Sequence, residues 1–74
     1  MNTTNLILKH EKAIECLKGI EYFQLKLNAS ETFLNQIPID LSDVINKCKH
    51  NITIYTKCIE RLKSYYIQHY TFYN

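Results

Sequence analysis

The residues of this chain best suited to metal binding or nucleophilic catalysis are its three cysteines and three histidines. Cys48 and His50 are two residues apart and Cys58 follows Cys48 by ten, so the sequence lacks the Cys-x-x-Cys and His-x₃-His spacings typical of zinc sites. A catalytic thiol also needs a base held beside it, and no spacing here provides one. The carboxylates lie mostly near lysines at helical spacing, as on a solvated helix surface. We therefore expect no metal, no cofactor, no small-molecule substrate and no enzymatic activity.

The odd number of cysteines excludes a scaffold in which all of them are paired within the chain. Cys16 and Cys58 fall near the same layer of the hairpin derived below, where a disulfide between them is one alternative. The other alternative is two buried or half-buried thiols, which we favour because the sequence shows no signal-peptide pattern. The expected location is then the cytoplasm.

A basic segment that also contains tyrosines makes nucleic-acid binding one hypothesis. The segment contains five basic residues, and Glu60 is its only acidic one. The basic residues are Lys47, Lys49, Lys57, Arg61 and Lys63. Together with Tyr55, Tyr65 and Tyr66, they are the residue types that follow a phosphate backbone and stack on bases. A lysine-rich solvated helix face is the alternative, and the single Arg favours it because base readout relies on arginine.

Residues 65–73, near the C-terminus, are unusually aromatic. Tyrosine is enriched at binding hot spots because it combines a large contact area with few rotatable bonds and a polar end. Tyr66 and Tyr73 fall at core-facing positions, where capping the core is favoured and partner contact is the alternative, whereas the other aromatic residues are expected to face a partner. The predicted partner-binding set is Tyr65, Tyr66, Tyr70, Phe72, Tyr73, Ile54 and Ile67.

These residues must be positioned by two helices that the lone Pro38 separates, since proline is poorly tolerated inside a helix. The pattern predicts that the second helix starts at residue 40 or 41. Asp40 is a good N-cap, and Asp43 lies in the capping-box position. Ile39 and Val44 then occupy the positions of a hydrophobic staple.

The predicted second helix, about residues 40–72, has a seam of core-facing residues at alternating spacings of three and four. The seam consists of Leu41, Ile45, Cys48, Ile52, Tyr55, Ile59, Leu62, Tyr66, His69 and Tyr73. All of these except His69 are apolar or aromatic, and the positions opposite the seam are polar. A strand at residues 52–55 is the competing interpretation because that stretch is rich in β-branched residues, but it would interrupt the seam.

The predicted first helix, about residues 4–35, is less regular. Its seven-residue repeat consists of Leu6, Ala13, Ile20, Leu27 and Leu34. Asn28 or Ser30 is suited to cap a new short helix, so a kink or split near residues 28–30 is the alternative to one continuous helix.

With a turn over residues 36–39, the two helices form a long antiparallel hairpin. The predicted register pairs residue i with about residue 75 − i. Leu27 then meets Cys48, and Ala13 meets Leu62.

The chain has 74 residues, of which 46% are hydrophobic and 22% charged, and its net charge is +2. We expect residues 1–74 to form a single all-α domain that is too apolar to be disordered and has no apolar run long enough to span a bilayer. A chain this short is barely stable alone. Its apolar surface is wider than the stripe that one hairpin buries, which predicts a dimer in the form of a four-helix bundle or a large protein partner.

The sequence supports three functional hypotheses of different classes. The leading one is a small protein–protein interaction module that binds and inhibits or modulates a larger host protein or defence complex. Small size and residues with A- and T-rich codons (Asn, Lys, Ile, Tyr and Phe supply 34 of 74) suggest an accessory protein of a phage or mobile element in the host cytoplasm. The alternatives are a nucleic-acid-binding regulator that uses the basic segment and a purely structural bundle that assembles with itself.

Overall fold

The computed structural model describes residues 3–70, apart from the side chains of residues 4 and 5. Two helices, α1 (Thr3–Leu34) and α2 (Ser42–Tyr70), pack against each other as an antiparallel hairpin, and the described residues contain no strand. The hairpin is a rod with extents of 60 × 16 × 16 Å. The predicted all-α hairpin is thereby confirmed, while the dimer stays a prediction.

α1 continues through residues 28–30, so the alternative of two separate helices is wrong. The Asn28 side-chain oxygen accepts a hydrogen bond from Gln24 Nε2 (3.0 Å), and its carbonyl accepts one from Thr32 Oγ1 (3.0 Å). The Ser30 carbonyl accepts a hydrogen bond from Cys48 Sγ of α2 at 3.2 Å. These contacts, one turn apart and across the hairpin, outweigh the preference of Asn and Ser for cap positions.

The start of α2 differs from the predicted capping pattern. The Leu41 N–H donates to the Pro38 carbonyl at 3.0 Å, which closes a turn over residues 38–41. The Leu41 carbonyl then accepts the first helical hydrogen bond, from the Ile45 N–H at 3.1 Å. Leu41, and not Asp40, therefore occupies the N-cap position, and the helix begins two residues later than residue 40.

The predicted hydrophobic staple is also wrong, because Ile39 is 92% exposed and cannot cover Val44. Instead, Ile37 is buried and closes the turn end of the core. Its N–H donates to the Leu34 carbonyl at 3.4 Å, which extends α1 by a tighter final turn. Asp43 does lie in the first turn of α2, where its charge suits the helix dipole.

α2 is helical through residues 52–55, so the strand interpretation is wrong. Two threonines in and beside this stretch fit the helix because their hydroxyls donate to carbonyls four residues earlier. Thr53 Oγ1 donates to the Lys49 carbonyl at 3.1 Å, and Thr56 Oγ1 donates to the Ile52 carbonyl at 2.8 Å. This local pairing satisfies polar groups that would otherwise favour non-helical backbone.

The predicted seam of α2 is confirmed between Ile45 and Tyr66, where every member is buried or half-buried. Leu41 and His69, near its two ends, are exposed, and Tyr73 lies outside the described residues. α1 presents a matching seam with the same alternating spacing. Its buried or half-buried members are Ala13, Cys16, Ile20, Phe23, Leu27, Ser30 and Leu34.

The observed register is about three residues away from the predicted one. Residues in contact across the hairpin have numbers that add up to 78 rather than 75, as for Cys16 with Leu62, Phe23 with Tyr55, and Ser30 with Cys48. The late start of α2 accounts for part of the difference. The remainder follows because side chains on each helix lean toward its own N-terminus, so those of an antiparallel pair meet one residue further along each chain.

Gly19 lies where the two helices approach closely. A Cβ atom at this position would lie 3.3 Å from Leu62 Cδ1, which is tighter than ordinary van der Waals contact. The absence of a side chain therefore lets Leu62 pack onto the main chain of α1.

Candidate functional site

The three cysteines are free thiols that belong to the packing between the helices. Cys16 Sγ donates to the Leu62 carbonyl at 3.5 Å, and Cys48 Sγ donates to the Ser30 carbonyl at 3.2 Å, so neither is held beside a base. Cys58 lies one helical turn before Leu62 in the observed register, which does not match a disulfide between Cys16 and Cys58. Within residues 3–70, no cluster of three or more His, Cys, Asp or Glu side chains is arranged to hold a metal ion.

One groove of about 530 Å³ lies at the open end of the hairpin, opposite the turn. It is lined by Leu6, Ile7, His10 and Glu11 of α1, and the lining is almost entirely apolar. An open apolar groove suits contact with another apolar surface rather than a reaction that needs converging polar groups.

The aromatic residues at the end of α2 form a cluster of tilted rings. The Tyr65 ring centroid lies 4.2 Å from that of His69 and 5.7 Å from that of Tyr70, and Tyr66 lies 6.0 Å from Tyr70. The pKa of the Tyr70 hydroxyl is raised above its ordinary value. Burial is the larger cause, and a hydrogen bond with Tyr65 is the next. The cluster therefore holds several of the predicted partner-binding residues in fixed mutual positions.

Tyr70 is only 9% exposed, so the prediction that it lies on an open surface is wrong. Its long side chain leans back over the preceding turn, near Cys16 and Glu15 of α1, which also contribute to its raised pKa. Tyr66 is half-buried in the seam. Both rings thus complete the core of the hairpin at its open end.

The other predicted partner-binding residues do not form one surface. Ile54, Tyr65 and Ile67 are exposed, but Ile67 lies on a different side of α2 from the other two. Phe72 and Tyr73 lie outside the described residues. The seam defines two sides of the hairpin. A residue just before a seam position lies on one edge of the contact between the helices, and a residue just after a seam position lies on the other edge.

The hairpin has two flanks, which we name after half-buried residues of α1. The Gly19 flank carries Gly19 and Cys58, each of which precedes a seam residue, and the Gln24 flank carries Gln24 and Thr56, each of which follows one. α2 runs antiparallel to α1, and its seam faces the seam of α1. Residues that precede seam positions on the two helices therefore lie on the same side of the hairpin. Each flank also includes the neighbouring surface positions of each helix that lie further from the seam.

The Gly19 flank combines bulky apolar residues along its whole length with an excess of positive charge. Its exposed large apolar residues are Leu8, Tyr22, Phe33, Val44, Ile54 and Tyr65. Its charged residues are Lys12, Glu15, Lys26, Lys47 and Arg61, four basic and one acidic. Lys26 Nζ lies 5.4 Å from the centroid of the Tyr22 ring, close enough for a cation–π interaction.

The Gln24 flank is arranged differently. Its exposed large apolar residues are confined to the open end and are Ile7, Ile14, Leu17 and Ile67. Its charges are mixed: Glu21 and Glu31 lie on α1, while Lys49 and Lys63 lie on α2 with Glu60. This flank therefore has no strong excess of either sign.

The predicted basic segment is divided between these surfaces. Lys47 and Arg61 lie on the Gly19 flank, Lys49 and Lys63 lie on the Gln24 flank, and Lys57 lies on the outer side of α2, away from α1. All five are exposed. Neither flank therefore carries more than two of these five basic residues.

The predicted site omitted the apolar residues of α1, above all Tyr22 and Phe33. The Tyr22 ring meets the edge of Phe23 at 5.3 Å, and Phe23 in turn lies 6.2 Å from Tyr55 of α2, so an exposed ring is connected to the seam. The signal for these residues was present in the sequence: apolar residues occur on almost every side of α1, more than one seam can bury.

No helix within the described residues is both long and apolar enough to cross a membrane. Comparison with known proteins found no matching protein-family model, no similar curated protein and no similar solved structure.

Proposed function

We propose that this protein is a non-enzymatic module that binds other proteins through the apolar surface its hairpin leaves exposed. One observation carries the proposal. The chain exposes 6143 Å², whereas a compact monomer of this mass would expose about 4,800 Å². The excess, polar and apolar surface together, is on the order of 1,300 Å², and fourteen large apolar residues of the described part of the chain are exposed. A standard protein interface buries about 800 Å² on each partner.

The proposed mode of action is steric. A rigid rod acts by occupying a surface of its partner and so blocking or reshaping a site there, without any reaction of its own. We propose inhibition or modulation of a larger host protein or defence complex, in the cytoplasm of a host cell, by an accessory protein of a phage or mobile element. Small size and the A- and T-rich codon composition support this last step.

A dimer in the form of a four-helix bundle is proposed as the assembled state, because it would bury part of the excess surface. The Gln24 flank suits such self-association better than the Gly19 flank. Its apolar patch at the open end has mixed charges around it, so acidic residues of one copy can approach basic residues of the other.

The proposal is tested by affinity capture from a lysate of the source cell, with and without nuclease. We expect one protein to be retained in near-equal amount after nuclease treatment and to be lost when Ile54→Gln and Tyr65→Gln are combined. Lys57→Gln with Ser64→Gln, on the outer side of the same helix, is the matched control and should retain it. Retention by the flank variant would mean that the Gly19 flank is not the binding surface, and loss with nuclease would contradict the proposal.

Nucleic-acid binding is a second candidate function, supported by the presence of Lys47, Arg61, Tyr22 and Tyr65 on one flank. It predicts that binding of a labelled single-stranded oligonucleotide weakens steeply as salt rises. Lys47→Gln with Arg61→Gln should then lower the slope of log affinity against log salt by about 1.4, or about 0.7 for each lost phosphate contact. Binding that is absent or independent of salt would remove this candidate.

A further inference from the structure

We infer that the Gly19 flank binds an acidic amphipathic helix of a partner protein, laid in the groove between α1 and α2. The inference rests on the proposed function and adds the chemistry of the partner. Three features of the flank support it: the length of its apolar strip, the shape of its centre and the sign of its charges.

The apolar strip on this flank extends along the hairpin. Phe33 and Val44 lie near the turn, Tyr22 and Ile54 near the middle, and Tyr65 toward the open end. From Val44 to Tyr65 the strip measures about 32 Å at 1.5 Å per residue. A partner helix of about 21 residues has the same length, so a helix laid along the groove would meet apolar side chains near both of its ends and at its middle.

The residues nearest the seam at the centre of the flank are small. Gly19 has no side chain, and Cys58, nearly opposite it, is small and half-buried. Larger residues, among them Tyr22 and Ile54, stand on either side. Small residues at the bottom of a groove let the axes of packed helices approach, and binding of an amphipathic helix in an apolar groove is a common mode of recognition.

The charges on the flank disfavour a second copy of this chain as the occupant. Lys12, Lys26, Lys47 and Arg61 face only Glu15. In a two-fold symmetric dimer the same patch meets itself, so the excess of basic residues on one copy would face the same excess on the other. Complementary potential requires an acidic partner, and like charges across an interface weaken association.

Phosphate is also negatively charged, but the arrangement of this flank favours protein over nucleic acid. The two basic residues on each helix, Lys12 and Lys26 on α1 and Lys47 and Arg61 on α2, are about 21 Å apart at 1.5 Å per residue. Six exposed bulky apolar residues lie among these four charges, and one of them, Ile54, is 42% exposed midway between Lys47 and Arg61. A surface on which bulky apolar residues outnumber the charges suits a protein interface. A backbone-tracking nucleic-acid groove instead needs closely spaced positive charge.

The inference is tested by titrating the full chain with a designed 21-residue helical peptide that carries Leu at its inner positions and Glu at its flanking positions. The same peptide with Lys in place of Glu is the control ligand. We expect the Glu peptide to bind and the Lys peptide to bind at least tenfold more weakly. Lys47→Glu with Arg61→Glu should weaken binding of the Glu peptide by about tenfold, since each pair of exposed charges contributes a few-fold.

Lys49→Glu with Lys63→Glu is the matched control, because it makes the same change in net charge on the same helix but on the Gln24 flank. It should change affinity by less than about twofold, in keeping with charges that lie far from the contact and are screened by salt. Equal weakening by both pairs, or equal binding of both peptides, would overturn the inference. Stronger binding of a single-stranded oligonucleotide than of the Glu peptide, lost in the Lys47→Glu and Arg61→Glu variant, would assign the flank to nucleic acid.

Failure of this inference is distinguishable from failure of the proposed function. If the Ile54→Gln and Tyr65→Gln variant loses its captured protein while Lys47→Glu with Arg61→Glu retains it, the flank binds protein but not an acidic one. If neither variant loses it, the Gly19 flank is not the binding surface and the inference fails, whereas the proposed function fails if no protein is captured after nuclease treatment. Circular dichroism of every variant shows whether the helices remain folded.

Discussion

The Gly19 flank and the Gln24 flank are built by the same two helices, yet they differ in both apolar and charge arrangement. Bulky apolar residues run the length of the Gly19 flank, whereas on the Gln24 flank they end after Leu17 on α1 and resume at Ile67 near the end of α2. Four basic residues face one acidic residue on the first flank, and the second has mixed signs. A shared core therefore does not make the two sides equivalent as binding surfaces.

The difference shows how a helical hairpin can separate stability from recognition. The seam is fixed by positions that alternate at three and four residues, and the flanks are fixed by the residues immediately before and after them. Substitutions on one flank leave the other flank and most of the seam unchanged. Each flank can therefore be tested separately, once the seam that supports both is intact.

The largest expected effect comes from the seam itself. Ile59 is 5% exposed, and Ile59→Ala should lower the free energy of unfolding by about 2–5 kcal/mol. A domain of this size rarely has more than about 3–5 kcal/mol in total, so the variant should lose most of its helical circular dichroism at 25 °C, and both flanks with it.

Ile67→Ala is the control for this substitution, because it removes the same atoms from a residue of the same helix that is 67% exposed. It should cost less than about 1 kcal/mol, since most of its surface is already in water. Equal loss of helicity in the two variants would mean that Ile59 does not anchor the core.

The next largest effect tests which of the two flanks joins two copies of the chain. If the Gln24 flank joins two copies, Ile14→Glu with Leu17→Lys should raise the dimer dissociation constant at least tenfold, or about 1.4 kcal/mol, because charges would be buried in an apolar contact. Sedimentation equilibrium measures this. Tyr22→Gln with Ile54→Gln on the Gly19 flank should leave the dimer intact, and the reverse pattern would assign self-association to the Gly19 flank.

Gly19→Ala should act in opposite directions on stability and on binding. Alanine favours the helix by roughly 1 kcal/mol over glycine, but its methyl group would lie 3.3 Å from Leu62 Cδ1. Leu62 is half-buried, so its side chain can shift by a few tenths of an ångström. We expect a gain in unfolding free energy of less than about 1 kcal/mol and weaker binding of the acidic peptide, because the methyl group and the shifted Leu62 add bulk where the peptide helix would approach.

Urea denaturation and peptide titration of the same Gly19→Ala sample measure the two effects. Ala29→Gly, at an exposed position of the same flank, is the control and should cost up to about 1 kcal/mol through helix propensity alone. Lower stability of Gly19→Ala than of the unmodified chain would show that Leu62 cannot move.

The smallest expected effect concerns the tyrosine cluster where the flanks meet at the open end. The pKa of Tyr70 is raised from its ordinary value of 10.0, so the folded state holds this proton more tightly than the unfolded state. Its contribution to unfolding free energy is complete below that value and is lost as pH rises through the raised pKa. Tyr70→Phe should therefore flatten the fall of stability above pH 10 in urea denaturation at a series of pH values, and an unchanged slope would contradict this account.

The seam of α2 could be predicted in detail because its apolar and polar positions contrast sharply. The seam of α1 was harder to recognise, since Ser30 is polar and Ala13 is small, while apolar residues such as Leu25 lie on the outer side. Of the predicted partner-binding residues, Ile54, Tyr65 and Ile67 are exposed, and their role in binding stays a prediction. The burial of Tyr70 was missed because the direction of a long side chain depends on what lies across the hairpin.

What the sequence alone determined is the pair of helices, the proline-containing connection between them and the face that α2 presents, because these depend on local backbone preference and on a periodicity of 3.6 residues. The tertiary structure decided the start of α2 after the turn at Pro38, the three-residue change of register and the close approach at Gly19. It thereby decided which residues of α1 and α2 share a flank. These features depend on how two helices pack together, and a periodic pattern on one helix does not specify its alignment with another.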